Sequence, residues 1–317
     1  MINTLRIFVA IAIVAVLQSC GSKERKTESG LAYTMIKEGE GGPVEDGQYI
    51  LMNMQYKDET DSVWMNTADN GIPVIVPKND SVWKANEGSI EQIFNELKKG
   101  DSVTFSISVE DFFANSVKAD LPPNVNKEST LTFNLGVADV LNQDEIMAWQ
   151  QEMMKKQQQK QEADATKQLT EDVAIIEEYL KENGIEAQKT ESGIFYTMEK
   201  EGTGEQAAAG DMVKVNYVGR ILNGPYFDTS YKEVAQKEDI YDERREPYEP
   251  LEFKLGQGQM IRGWDEGIPL LKEGGKATLY IPSPLAYGPR QRSAEIVPNS
   301  ILVFDVELVD VVKDENN

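Results

Sequence analysis

Apolar and polar residues alternate over Met212 to Val218, over Ala277 to Ile281 and, with many β-branched residues, over Ile301 to Val312. Alternation of this kind predicts strands with one face buried, as in an antiparallel sheet. Glycine and proline punctuate the stretches between them. Two segments break the alternation. Asn142 to Asn183 contains neither glycine nor proline and is rich in Gln, Glu, Lys and Ala. Leu169, Val173, Ile176 and Leu180 form an apolar stripe at helical spacing, Ile146, Trp149 and Met153 form a weaker one, and Lys155 to Gln168 is polar all round. The pattern predicts a long helix, stopped by Gly184, with a solvated middle and ends packed on their neighbours. A homodimer contact or a substrate-holding arm is the sharper expectation for it. The other segment is Gly263-Trp264-Asp265-Glu266-Gly267, which follows Met260-Ile261 and runs on to the turn Glu273-Gly274-Gly275. It predicts a helix of about two turns. Such a helix is unstable alone, so the strands must wrap it. The result is an α+β layer arrangement.

The chain also repeats itself. Glu28-Ser29-Gly30-Leu31, Tyr33-Thr34-Met35 and Lys37-Glu38-Gly39 return, at one constant offset, as Glu191-Ser192-Gly193-Ile194, Tyr196-Thr197-Met198 and Lys200-Glu201-Gly202. Leu131 to Leu135 parallels Leu302 to Val306, and Lys98 to Phe105 parallels Lys272 to Leu279. Two copies of one domain account for this. The expected boundaries are 28–141 for the first copy, 142–184 for the helical linker, 185–313 for the second copy and 314–317 for a tail.

Composition narrows the chemistry. The formal net charge of −22 over 317 residues argues against nucleic acid as a partner. There is no histidine, and Cys20 is the sole cysteine. That excludes a Ser-His-Asp triad, an imidazole metal site, a disulfide within the chain and a thiolate cluster. No metal or cofactor is expected. Arg6 precedes an apolar run from Ile7 to Leu17, too short to span a bilayer comfortably and suited to a secretory signal. Leu17-Gln18-Ser19-Cys20 resembles a bacterial lipobox. The reading is a signal peptide over 1–20, an acyl anchor on Cys20, a polar tether over 21–27 and a place in the cell envelope, on the outer membrane facing the periplasm.

Tyr217, Phe227-Asp228, Met260-Ile261, Gly263-Trp264, Ala286-Tyr287-Gly288 and Leu302-Val303-Phe304, in that order, make the second copy resemble the FKBP family of peptidyl-prolyl cis-trans isomerases. The resemblance runs from Gly193 to Val312. It implies two FKBP-like domains, each an antiparallel sheet around a short helix, with an apolar pocket between sheet and helix. Carried over, Trp264 is the pocket floor, and Tyr217, Phe227 and Phe304 are aromatic walls. Met260 and Ile261 line one side, with the Ile261 N–H on a substrate carbonyl. The Tyr287 hydroxyl donates to another carbonyl, Asp228 is the polar group beside the pocket, and Ile296 closes the rim. The implied activity is isomerisation of Xaa-Pro bonds, and the implied substrates are unfolded or partly folded exported polypeptides. The alternative is a chaperone or scaffold that binds such chains without catalysis.

The first copy departs from this pattern. Met54 falls at the Tyr217 position, Trp64-Met65 at Phe227-Asp228, Ile90 at Trp264, Phe113 at Tyr287 and Phe133 at Phe304. It reads as a copy that keeps the fold and lacks the site. The second copy differs from minimal members in a longer stretch, Tyr231 to Glu249, which carries Arg244-Arg245 and the tyrosines Tyr231, Tyr241 and Tyr248. That stretch reads equally as a recognition flap or as solvated loop.

Overall fold

A computed structural model describes residues 23–123 and 125–313. Cys20 and the apolar run before it lie outside the described residues. The chain divides into two units, the first ending at Met154 and the second beginning at Lys155.

The strands of the first unit are β1 (Lys23–Lys26), β2 (Ala32–Lys37), β3 (Tyr49–Lys57), β4 (Val63–Asn66), β5 (Val74–Pro77), β6 (Ser102–Ser108) and β7 (Thr130–Leu141). Those of the second are β8 (Gln188–Lys189), β9 (Phe195–Lys200), β10 (Met212–Ile221), β11 (Tyr226–Thr229), β12 (Leu251–Lys254), β13 (Lys276–Ile281) and β14 (Leu302–Val312). The first sheet runs β1-β2-β6-β7-β3-β4, with β5 also on β3. The second runs β8-β9-β13-β14-β10-β11, with β12 also on β10. The order is the same, and every pairing is antiparallel. Even the irregularity matches. The register slips between Leu51 and Met52 on β3 and between Lys214 and Val215 on β10, at equivalent places in the repeat. A bulge kept in both copies bends the long strand pair in the same way.

Residues 23–26, expected to be tether, form an edge strand on β2, with Lys23 opposite Met35. The turn at Gly30, φ +91, closes this hairpin, and Thr27 Oγ1 accepts from the Leu31 N–H at 3.1 Å. Its charged sequence, Lys-Glu-Arg-Lys, suits an exposed edge.

In the second unit the helix Arg262–Gly267 lies against the sheet. Its two glycines make this possible. A Cβ on Gly263 would lie 2.4 Å from Ile281 Cγ2, and one on Gly267 would lie 2.6 Å from Leu279 Cδ1. Trp264, between them, is 1% exposed. It packs with Val215, Leu279, Ile281 and Phe304 in one core.

The long helix spans Gln143–Glu182. Residues 155–167 expose their side chains, as the polar stretch predicts. Ile146 is buried near one end, and Ile176 and Leu180 are buried near the other. Ile176 and Leu180 pack on Phe195, Tyr280, Ile301 and Val303. These sheet residues alternate with Leu279, Leu302 and Phe304, which face the Trp264 core, so the two sets occupy opposite faces. The sheet of the second unit is therefore covered on both faces here, where alternation predicts one. This explains why Ala277 to Ile281 is buried at every position. Each fully buried Leu or Ile contributes roughly 1.5–3 kcal/mol, enough to fix this end of the helix.

Candidate active site

The helix Arg262–Gly267, the strands β10, β11 and β14, and the loop after β13 converge on a cleft of about 610 Å³. Tyr217, Phe227, Asp228, Met260, Ile261, Trp264, Tyr287 and Phe304 all line it, together with Arg262 and Arg292. Nearly every expected site residue is thus brought to one place. Ile296 is the exception. It is 5% exposed, belongs to the core of the unit and does not line the cleft. Its N–H donates to Ser293 Oγ at 3.0 Å and its carbonyl accepts from Arg292 N–H at 2.9 Å, a tight turn that folds it inward.

The rings form a connected box. Trp264 meets Tyr217 edge-on at 5.2 Å between centroids and Phe304 edge-on at 5.2 Å. Phe227 meets Phe304 edge-on at 5.6 Å. Such tilted contacts are the favoured geometry between aromatic quadrupoles. The box is open because β10 carries Gly219 opposite Phe304 and Asp228. A Cβ at Gly219 would lie 2.8 Å from both Phe227 Cζ and Phe304 Cε1.

Asp265 ties the floor to the side wall. Its carboxylate accepts from the N–H groups of Gly256, at 2.8 Å, and Gly258, at 3.3 Å. This holds the turn that leads into Met260 and Ile261. Among the described residues the Ile261 N–H has no acceptor, and the Tyr287 hydroxyl has no partner. The indole N–H of Trp264 is buried and likewise without a partner among them.

Asp228 is the polar centre. It accepts from Tyr217 Oη at 2.7 Å, from its neighbour's Thr229 N–H at 2.9 Å and from Arg245. Arg245 also donates to Tyr217 Oη at 3.3 Å. Burial first, and the Asp228 charge second, push the Tyr217 phenol well above the ordinary tyrosine range. Tyr217 therefore stays protonated and donates. These donors orient the Asp228 carboxylate, and Arg245 partly balances its charge.

Arg245 comes from the stretch Tyr231 to Glu249, and sequence reasoning gave it no role. The stretch is neither wholly a flap nor wholly solvated. Tyr231 Oη donates to Glu307 at 2.8 Å, the Tyr241 and Tyr248 rings stack at 5.8 Å, and the Arg245 guanidinium lies 5.7 Å from the Tyr248 ring. The only sequence signal for this was the paired arginine in an otherwise acidic insertion.

The first unit fills the corresponding space. Tyr56 stands opposite Phe133 and Met65, the place that Gly219 holds in the second. Its ring stacks on Phe133 at 4.6 Å and lies 5.7 Å from Phe112. Phe112 in turn lies 5.2 Å from Phe133. Met54 and Met65 replace the hydroxyl and the carboxylate. Ile90 is buried, as expected at the Trp264 position, but it caps the helix Glu91–Asn95 instead of lying inside it.

A fold and cleft of this design, an antiparallel sheet wrapped on a short helix with an aromatic pocket between them, define the class. A family model described as FKBP-type peptidyl-prolyl cis-trans isomerase matches residues 203–309. The probable FKBP-type peptidyl-prolyl cis-trans isomerase FkpA of Neisseria meningitidis is 38% identical over 174 residues, which cover 55% of this chain and 57% of that one. FK506-binding protein 1 of Saccharomyces cerevisiae is 46% identical over 102 residues, 32% of this chain and 77% of that one. FK506-binding protein 2 of Candida glabrata is 44% identical over 109 residues, 34% and 70% of the two chains. The chain belongs to the FKBP-type peptidyl-prolyl cis-trans isomerase family. It spans a little over half the length of the Neisseria relative.

Proposed function

We propose that the second domain, residues 185–313, accelerates cis–trans isomerisation of Xaa-Pro bonds, and that the first, residues 28–141, does not. The observation that carries this is the open aromatic box beside an Asp228 carboxylate held by three donors. Rotation about an amide meets a barrier of about 18–20 kcal/mol from C–N double-bond character. Uncatalysed Xaa-Pro exchange takes tens to hundreds of seconds. No bond is made or broken, so neither nucleophile nor acid–base pair is needed. The twisted amide has lost resonance, and an apolar box favours it over the planar form. The Ile261 N–H and the Tyr287 hydroxyl hold the flanking carbonyls, and Asp228 supplies a fixed charge beside the rotating group.

The substrates on this reading are unfolded or partly folded exported polypeptides with accessible Xaa-Pro bonds. The protein is held on the cell envelope by acyl chains on Cys20, on the outer membrane facing the periplasm. The Leu17-Gln18-Ser19-Cys20 motif supports that placement. The long helix is the surface through which two copies would pair. The filled space in the first domain supports its lack of isomerase activity.

NMR exchange spectroscopy on a short Xaa-Pro peptide tests the enzyme reading. Acceleration by the wild type, with loss on Trp264→Ala or Asp228→Ala, is expected. No acceleration by the wild type would sink it and leave the non-catalytic chaperone. Suppression of client aggregation that survives Trp264→Ala, with no peptide isomerisation, would select the chaperone reading.

A further inference from the structure

The loop that presents Tyr287 is fastened to the long helix. Asp172, on that helix, is 1% exposed. Its Oδ2 accepts from the Ser283 N–H at 2.7 Å and from Ser283 Oγ at 2.6 Å. Its Oδ1 accepts from Gln168 Nε2 at 2.8 Å, one helical turn back. Gln168 Oε1 in turn accepts from Asn299 Nδ2 at 2.9 Å, and the Asn299 N–H donates to the Gly288 carbonyl at 2.8 Å. Ser283 itself closes the loop, because its carbonyl accepts from Ala286 at 2.9 Å and from Gly288 at 2.8 Å. One turn of the helix therefore grips the loop on both sides of Tyr287, at Ser283 before it and through Asn299 at Gly288 after it.

We propose that Asp172 is a positioning residue for Tyr287, acting through Ser283. The inference rests on the reading of Tyr287 as a donor to substrate. A buried carboxylate is costly, and among the described residues this one has no cationic partner. Ile176 and Leu180 already anchor the helix through apolar contact. What the carboxylate adds is direction. Two short bonds to a single residue fix the turn Ser283–Leu285, and so fix where the next two residues point. The helix thereby belongs to the active site although it contributes no lining residue to the cleft.

The test is a double-mutant cycle on the full chain, read as kcat/KM by peptide exchange spectroscopy. Asp172→Ala is expected to lower kcat/KM roughly three- to tenfold, the scale of one hydrogen bond. Asp172→Asn is expected to recover most of it, because its amide oxygen can still accept from Ser283. Tyr287→Phe is expected to cost less in the Asp172→Ala background than in the wild type. Full additivity, or an unchanged kcat/KM in Asp172→Ala, overturns the proposal. Should Asp172→Ala fail to fold, Ser283→Ala takes its place in the cycle, where non-additivity supports the proposal and additivity overturns it. Amide exchange across Ser283 to Gly288 separates this inference from the enzyme reading. If the wild type shows no isomerase activity, loss of protection there in Asp172→Ala, with protection kept at Ile176 and Leu180, still supports the clasp. Unchanged protection overturns it.

Discussion

Gly219 and Tyr56 occupy the same rung of two matching sheets, one opposite Phe304 and the other opposite Phe133. In the second domain the missing side chain leaves the space between Phe227 and Phe304 open. In the first a phenol ring fills it and stacks on Phe133. One position thus separates a domain with a cleft from a domain whose core extends through the same volume.

Gly219→Tyr should close the cleft. Peptide exchange should slow by more than tenfold, at a cost of about 1–3 kcal/mol for overpacking. Tyr56→Ala in the first domain should cost roughly 2–3 kcal/mol, somewhat less than a fully buried aromatic. It should not create activity, because Met54 and Met65 supply neither hydroxyl nor carboxylate. Urea denaturation and the exchange assay read the two halves. An active Tyr56→Ala first domain, or a fully active Gly219→Tyr protein, would contradict the assignment.

Arg245→Ala should weaken catalysis without emptying the cleft. It removes the cation from Asp228 and one donor from the Tyr217 hydroxyl. A fall of about three- to tenfold in kcat/KM is expected. Arg245→Lys should restore it only in part, since a single ammonium cannot meet both partners in the geometry of a guanidinium fork. Exchange kinetics across the three proteins, with thermal melting as a check on folding, decide the point.

High pH should destabilise the second domain through its raised tyrosines, Tyr217 and Tyr231 foremost. Burial raises Tyr217 and Tyr231 well above the ordinary value of 10.0, with Asp228 and Glu307 adding to it. Between that value and their folded values the unfolded chain loses these protons while the folded domain keeps them. The stability they contribute is therefore complete below pH 10 and falls as pH rises above it. Urea midpoints should drop between pH 9 and pH 11, and Tyr217→Phe should flatten the drop. A midpoint indifferent to pH over that range would refute it.

Cys20→Ser should release the protein from membranes. With acyl chains on Cys20 the wild type pellets with the envelope, and the variant should appear in the soluble fraction. Fractionation followed by immunoblotting measures this. A variant that still pellets would show that something other than this cysteine holds the protein there.

Much of this architecture was legible in the chain itself. Alternation located β10, β13 and β14, and the internal repeat anticipated two sheets of one topology. The aromatic positions and Asp228 follow a distinctive order along the chain, and the structure brings them to one cleft. What escaped was set by contacts between distant segments. Arg245 sits in an insertion whose length hides its reach back to Asp228. Asp172 lies within the apolar stripe of Leu169, Val173, Ile176 and Leu180, where it reads as one more polar residue on the helix. Tyr56 and Phe112 look like ordinary strand and loop aromatics until register places them opposite and beside Phe133. Ile296 was expected at the rim because its loop follows Tyr287, yet its turn buries it. The second covered face of the sheet was missed for a related reason, since Tyr280 and Phe195 could as well have faced water.

The long helix has its own consequence. Over residues 155–167 no side chain is buried, and side chains there tie locally, as Gln158 to Glu162 at 2.8 Å and Lys167 to Glu171 at 3.7 Å. Opening a turn there breaks backbone hydrogen bonds but uncovers no core, so it draws on none of the energy that holds either end. Ion pairs of this kind weaken as salt rises. The middle of the helix is thus a shaft whose stiffness answers to temperature and ionic strength, while the docked turn at Asp172 answers to packing.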